Sequence, residues 1–402
     1  MRNTILLFGL FALSFFCNAQ SHEIVIGTID TVNSKILGEK RVVWIYQPNK
    51  GNRIELAKSS YPVVYLLDGD WHFSSVVGIL EQMSFVNGNS ICPEMIVVGI
   101  TIPDRYRDLT PSCDTIFSKK SGGNGKFISF IKDELIPYVD SNYPVTPYRM
   151  LIGHSLGGLT AINTLVNYPK LFNAYVAIDP SMWWDNQASL HETANALANN
   201  KYDNSSLFLA IANSMDRGMD TLLVKKDNSR STLPIRSNFA LSELLRSNSA
   251  HKLKYQVKYY NNENHGSIPL IATYDALHFI FDFYNLPLTK KDYADTTMSL
   301  GYRIEDHFKI ISDIMGYKIN PSESTINALG YNALYLKNWA LAEYFFGLNV
   351  KNYPASYNAY DSFGDYYLAV GHFQQASRMF QMALSIFDNK DTRRKLESIQ
   401  QE

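Results

Sequence analysis

Cysteine is scarce, with three in 402 residues. So few cannot staple a chain of this size into a disulfide framework, and no Cys/His cluster has the spacing of a zinc site. No metal or organic cofactor is implied. Charge of one sign is also missing: 37 Lys and Arg stand against 38 Asp and Glu, a formal net charge of -1. That balance leaves no global electrostatic handle for nucleic acid or an anionic membrane. Beyond the N-terminus no run approaches about 20 uninterrupted apolar residues, so no later membrane-spanning helix is expected. Charged residues make up 19% and hydrophobic ones 46%, which argues against disorder and for a large buried core. At about 150 residues per domain, the length predicts two or three domains.

The first 19 residues carry one charge, Arg2, then an apolar run from Ile5 to Phe16 and Cys17-Asn18-Ala19. This is the order of a secretory signal peptide, with cleavage expected after Ala19. A lipid on Cys17 is the alternative, and Phe16 fits it poorly. Export to the periplasm or the medium follows. The mature chain then keeps Cys92 and Cys113, and whether they meet stays open.

Short apolar runs recur at Val63–Leu67, Met95–Ile100, Arg149–Gly153, Ala174–Asp179, Leu207–Ala212 and Lys254–Tyr260. The first five are nearly continuous in apolar residues, as strands buried on both faces are. Helical spacing separates them, for example over Gly125–Tyr138 and Leu159–Asn167. The fold class is α/β, with a mostly parallel doubly wound sheet. Glu23–Asp30 and Arg41–Tyr46 alternate better and are expected as antiparallel strands at one edge.

The pattern changes after about Pro287. Helices are expected to the end, and two segments repeat at a period of 34: Gly330 with Gly364, Trp339 with Phe373, Ala342 with Ala376, Phe346 with Phe380. This resembles a tetratricopeptide pair of antiparallel helices. The expected division is a signal peptide over 1–19, an α/β domain over 20–288, a helical linker over 289–322, the repeat pair over 323–388 and a tail over 389–402. Two repeats rarely stand alone, so the pair is expected to dock on the main domain or on another subunit, as a prop or as a groove for a protein partner.

Gly153-His154-Ser155-Leu156-Gly157 matches Gly-x-Ser-x-Gly. The bare match is a weak signal; its setting is what the motif demands. A strand runs in and a helix runs out, and the small residues let a strained serine stand clear at the turn. The helix N-terminus there favours developing negative charge. Ser155 is the candidate nucleophile, and a serine hydroxyl needs a base. In this architecture the histidine follows the last strand. Of the six histidines beyond Ser155, His265 alone sits in a polar loop just after a late strand.

The carboxylate that would orient His265 is less determined. Asp216 is the first choice, because it follows the strand Leu207–Ala212 most closely, with Asp220 as the alternative. Asp179 ends the preceding strand and is a further candidate; Glu263 lies too close to His265 in sequence. A Ser-His pair without an acid also remains open. Backbone N–H groups of Leu156 and Asp70 are the expected oxyanion donors, Asp70 from the turn Asp68-Gly69-Asp70-Trp71. Trp183 and Trp184 follow a strand's C-terminal end, where ligands bind in such sheets, and would either form an aromatic wall or pack. Arg105 and Arg107 would hold an anionic ligand or pair with Asp104 or Asp108.

These segments resemble the putative esterase (esterase D-like) family of α/β-hydrolases. Besides the elbow, Tyr65-Leu66-Leu67-Asp68-Gly69-Asp70 resembles its oxyanion turn. Asp104-Arg105-Tyr106-Arg107-Asp108-Leu109-Thr110-Pro111, Asp133-Glu134-Leu135-Ile136-Pro137-Tyr138 and Pro180-Ser181-Met182-Trp183-Trp184 resemble three further segments. The resemblance spans about residues 25–286. It implies an α/β-hydrolase fold and a serine hydrolase of carboxylic esters, needing no cofactor. The substrates it implies are a siderophore lactone or a feruloyl or acetyl ester on polysaccharide. An acyltransferase and a catalytically idle binding protein acting through its repeats are the competing readings. The family usually has serine where Asp179 stands, so Asp179 is a departure.

Overall fold

A computed structural model of the chain describes residues 24–48, 60–247 and 249–400. The expected signal peptide, 1–19, lies outside them. Eight strands form one sheet: β1 Thr28–Ser34, β2 Glu39–Tyr46, β3 Tyr61–Leu67, β4 Ile96–Ile100, β5 Val145–His154, β6 Ala174–Ile178, β7 Ser206–Ala212 and β8 Lys254–Tyr260. Their order is β1-β2-β4-β3-β5-β6-β7-β8. The pairs β1–β2 and β2–β4 are antiparallel, and all others are parallel.

The near-continuous apolar runs explain the middle of the sheet. Every residue of β3, β4, β6 and β7 is buried. Along β3, Val63, Tyr65 and Leu67 enter one core, while Val64 and Leu66 enter the core on the opposite face. Edge strand β8 alternates instead, because only one of its faces is covered. The first strand differs from the expected Glu23–Asp30. It runs from Thr28 to Ser34, because the hairpin turn, with Gly38 at φ 70°, sets Ser34 against Glu39 and Thr28 against Ile45. β5 also starts four residues earlier than expected, where Val145 pairs with Tyr61.

Five helices matter for the site: α1 Gly69–Ser84, α2 Arg105–Leu109, α3 Leu156–Asn167, α4 Trp184–Asn199 and α5 Ile268–Ile280. In α3 every residue from Leu156 to Val166 is buried, so the helix leaving the elbow runs inside the domain and holds the turn rigidly. Cys92 is buried, Cys113 is exposed, and both are free thiols.

Beyond residue 288 the larger elements are helices: α6 Ser299–Met315, α7 Glu323–Tyr335, α8 Trp339–Asn352, α9 Tyr357–Ala369, α10 Phe373–Ile386 and α11 Lys390–Gln400. The 34-residue period reappears as geometry. A Cβ on Gly330 would lie 2.8 Å from the Phe346 ring, and one on Gly364 2.4 Å from the Phe380 ring. Each glycine is thus the gap into which the following helix seats a phenylalanine. Ser322 and Ser356 cap α7 and α9 in the same way. Asn349 near the end of α8 donates to the carbonyl of Glu323 at the start of α7, so the two helices are antiparallel.

Helix α6 joins the two parts. Leu300 and Ile304 belong to the helical core, while Ile311 and Met315 belong to the sheet's core beside Tyr148 and Phe281. A Cβ on Gly316, just past α6, would lie 3.8 Å from Pro147. The helical part therefore docks at the N-terminal end of β5, opposite His154. Among the described residues no helix is long and apolar enough to cross a membrane.

Candidate active site

Three adjacent strands end in the same unusual way. The residue after β3, Asp68, has φ 53°; the one after β5, Ser155, has φ 61°; the one after β6, Asp179, has φ 40°. Non-glycine residues avoid this region, which costs each of order 1–3 kcal/mol and persists only where the surroundings impose it. The surroundings do so at Ser155. Its N–H donates to the Ile178 carbonyl at 3.0 Å, and its own carbonyl accepts from the Ser181 N–H at 3.0 Å. A Cβ on Gly153 would lie 2.2 Å from the Gly157 oxygen, so the elbow closes only over glycine. Ser155 Oγ is 3.4 Å from Ser181 Oγ.

His265 follows β8, in the loop the sequence indicates. Its Nδ1 lies 2.6 Å from Asp179 Oδ2. Nδ1 must donate to a carboxylate, which leaves Nε2 with a lone pair. The Asp179 side chain is 4% exposed and that of His265 49%, so a buried carboxylate holds an accessible imidazole. The other oxygen of Asp179 accepts from Ala212 N–H (3.1 Å) and Asn238 Nδ2 (3.0 Å). No hydrogen bond joins Ser155 Oγ to His265 among the described residues; such bonds are often long until substrate is bound.

The partner of His265 is therefore Asp179, not Asp216 or Asp220. Both of those are exposed in the loop after β7. Asp216 accepts from Ser231 Oγ at 2.7 Å, and Asp220 caps the short helix Thr221–Val224 through the N–H groups of Leu222 and Leu223. The expected position, in the loop after β7, lies one strand beyond the carboxylate that His265 meets. The signal for Asp179 is local: it is the polar residue that closes the apolar run of the strand beside the elbow.

The turn after β3, expected to supply an oxyanion donor, is shaped by close packing. Its left-handed residue is Asp68. Gly69 is needed for close approach, since a Cβ there would lie 2.4 Å from the carbonyl carbon of Gly99. Asp68 receives Arg105 bidentately, Nε to Oδ1 at 2.8 Å and Nη2 to Oδ2 at 3.1 Å. Arg105 is thus committed to a buried carboxylate that the sequence reading did not pair with it, and the ring of Trp71 lies 5.3 Å from its guanidinium carbon. Arg107 pairs with Asp108 and Glu39 instead. Asp70 and Leu156 lie in the first turns of α1 and α3, where N–H groups lack helical acceptors.

The tryptophans divide. Trp184 is buried, and its indole N–H donates to the Ser112 carbonyl at 3.1 Å, so it is a packing residue and not a wall of the site. Trp183 is half-buried against Phe117 at 5.2 Å, and Phe117 continues to Tyr106 at 6.4 Å. Phe117 and Tyr106 are both exposed. Just beyond, Asp185, Asn186 and Gln187 are all left-handed.

Two further histidines stand behind the elbow. His154 Nε2 lies 2.8 Å from the His265 carbonyl, and the two rings are 4.5 Å apart. His72 on α1 meets His154 edge to face at 5.6 Å. Burial pushes the His154 imidazole down to about 3, with His265 and His72 adding to the effect. Burial also lowers His72.

Residues 34–269 match the family described as putative esterase. A siderophore enterobactin esterase of Emericella nidulans is 28% identical over 51% of this chain and 77% of its own length. Other curated siderophore esterases are matched over little more than half of their own length. Among solved structures, an IroE-like serine hydrolase from Shewanella oneidensis is 26% identical with a TM-score of 0.65, covering 80% of this chain and 98% of that one. A protein from Capnocytophaga ochracea shares the fold over 94% of this chain and 100% of its own, with a TM-score of 0.61 at 19% identity. The chain belongs to the putative esterase family and is, at the level that family defines, a carboxylic-ester hydrolase.

Proposed function

We propose that the protein is an exported serine esterase using Ser155 as nucleophile, His265 as general base and Asp179 as the carboxylate that orients His265. The observation that carries this reading is the 2.6 Å Asp179–His265 bond beside a left-handed serine. His265 Nε2 takes the Ser155 proton as Oγ attacks the ester carbonyl. The N–H groups of Leu156 and Asp70 stabilise the tetrahedral oxyanion, helped by the N-terminus of α3. His265 then returns the proton to the leaving alcohol, and water releases the acyl group by the same route.

The proposed substrate is a siderophore-type ester. The names of the relatives support it, and so does the aromatic rim of Trp183, Phe117 and Tyr106, which suits an aromatic acyl group. Arg105, neutralised by Asp68, is assigned to holding the oxyanion turn rather than a substrate anion. The repeat pair is proposed as a prop, because it sits at the far end of β5 from the site.

The test is hydrolysis of p-nitrophenyl acetate, methyl ferulate and an iron-loaded catecholate trilactone by the mature protein and by Ser155→Ala. The variant should lose at least about three orders of magnitude in kcat. Full activity in Ser155→Ala would overturn the mechanism, and preference for the ferulate would overturn the substrate.

A further inference from the structure

Asp179 fixes the ring of His265 but not the loop that carries it. That loop, residues 261–267, is long, polar and exposed. Asn264 stabilises it internally by accepting from the N–H groups of Gly266 and Ser267. The N–H of Asn213 ties it to the end of β7 through the Glu263 carbonyl. Neither contact relates it to the nucleophile. His154 does. It immediately precedes Ser155, and its Nε2 reaches the carbonyl of His265 itself at 2.8 Å.

A carbonyl cannot donate, so His154 must carry its proton on Nε2. We propose that His154 is a positioning residue for the proposed reaction: its Nε2–H clamps the His265 backbone to the elbow, so that nucleophile and base move as one unit. The inference rests on the Ser155–His265 reading. The surroundings suit a neutral donor. His154 is packed between His265, 4.5 Å away, and His72, 5.6 Å away. Its own carbonyl receives Arg105 Nη2 at 3.4 Å, and Asp68 holds that guanidinium from the other side. A second positive charge at this place would be costly. With its imidazole held down to about 3, the ring stays neutral and keeps its single donor across the physiological range.

The clamp has a kinetic signature. His154 faces the loop backbone and contributes to the base's position, so losing it should lower kcat and leave KM alone. Misplacing a reacting group by about 1 Å costs up to about a hundredfold. The experiment compares the full-length wild type with His154→Phe, which keeps a ring without a donor, and His154→Gln, whose amide donates from near the Nε2 position. Turnover of p-nitrophenyl acetate and the rate of Ser155 labelling by a fluorophosphonate are measured, with thermal melting as the check on folding. The expected result is a kcat loss of about 10- to 100-fold in the Phe variant, unchanged KM, slowed labelling, and recovery of most of the loss in the Gln variant. If the Phe variant does not fold, His154→Met also lacks a donor and carries the same expectation.

A folded donor-less variant within about twofold of wild type would overturn the clamp. So would a Gln variant no better than a folded donor-less one, or a change confined to KM. Ser155→Ala and His265→Ala serve as controls: activity persisting in both would instead sink the underlying catalytic reading, whatever the His154 variants do.

Discussion

The two ends of β5 are built by different rules. At its C-terminal end Ser155, flanked by Asp68 and Asp179 at the ends of neighbouring strands, takes a left-handed backbone that its side chain resists. Buried charge and bare imidazole gather there: Asp68 with Arg105, Asp179 with His265, His154 beside His72. At its N-terminal end Pro147 and Tyr148 meet α6 through ordinary apolar packing, and the helices beyond interlock through phenylalanines seated over glycines. Strain and desolvated polarity collect where atoms must be held against their preference. Where only cohesion is needed, shape complementarity suffices.

The largest expected difference between the ends is in catalysis. Asp179→Asn should lower kcat by about two to four orders of magnitude, because the amide no longer fixes the imidazole with Nε2 free. Asp216→Asn should change it by less than about twofold, as surface substitutions away from such features do. Steady-state kinetics on one small ester checks both, and equal losses would erase the distinction between the two loops.

Next comes Phe346→Ala, at the packed end. Emptying the site against Gly330 should destabilise the helical part by about 3–5 kcal/mol. The kcat/KM for a small ester should stay unchanged at temperatures where the chain is folded. Chemical denaturation followed beside activity measures this. A parallel loss of activity would mean that the repeat pair shapes the site after all.

The smallest effect is the pH dependence of stability. His154 is held down to about 3 in the folded protein and titrates near its ordinary 6.5 when unfolded. Between those values the unfolded chain binds more protons, so stability rises with pH and is lost as pH falls through the window. The slope is at most about 1.4 kcal/mol per pH unit for one such group. Asp292, beside the helical part, is held down to about 2 by the Thr289 N–H and hydroxyl and by Arg303. Its contribution is present above the ordinary 3.8 and is lost only as pH falls toward 2. Urea titrations at pH 7 and pH 5 should thus show a weaker protein at pH 5, with His154→Gln less affected. Equal sensitivity in that variant would assign the effect to other groups.

Local patterning was enough for much of this protein. Continuous apolar runs disclose strands buried on both faces, and the 34-residue spacing discloses that two helical segments repeat, because both are repeated short-range constraints; that each glycine seats a phenylalanine of the next helix is a matter of packing. Ser155 and His265 stand out as candidates for a related reason, since each sits in a loop or turn with its own local signature. The sequence leaves the places of Asp179, Arg105 and Trp184 open: Asp179 is one of several carboxylates, and Trp184 and Arg105 each admit a packing or ion-pair reading beside a binding one. Their roles depend on which side chains of separate strands come together across the end of the sheet, a matter of register and strand order. Asp179 is 86 residues from His265 and one strand from the elbow, and Asp68 is 37 residues from Arg105. The linear chain by itself determined most of the elements and singled out Ser155 and His265 as candidates. The tertiary structure alone decided which carboxylate faces which cation, because that choice is made by neighbours in space whose separation along the chain carries no periodic signal.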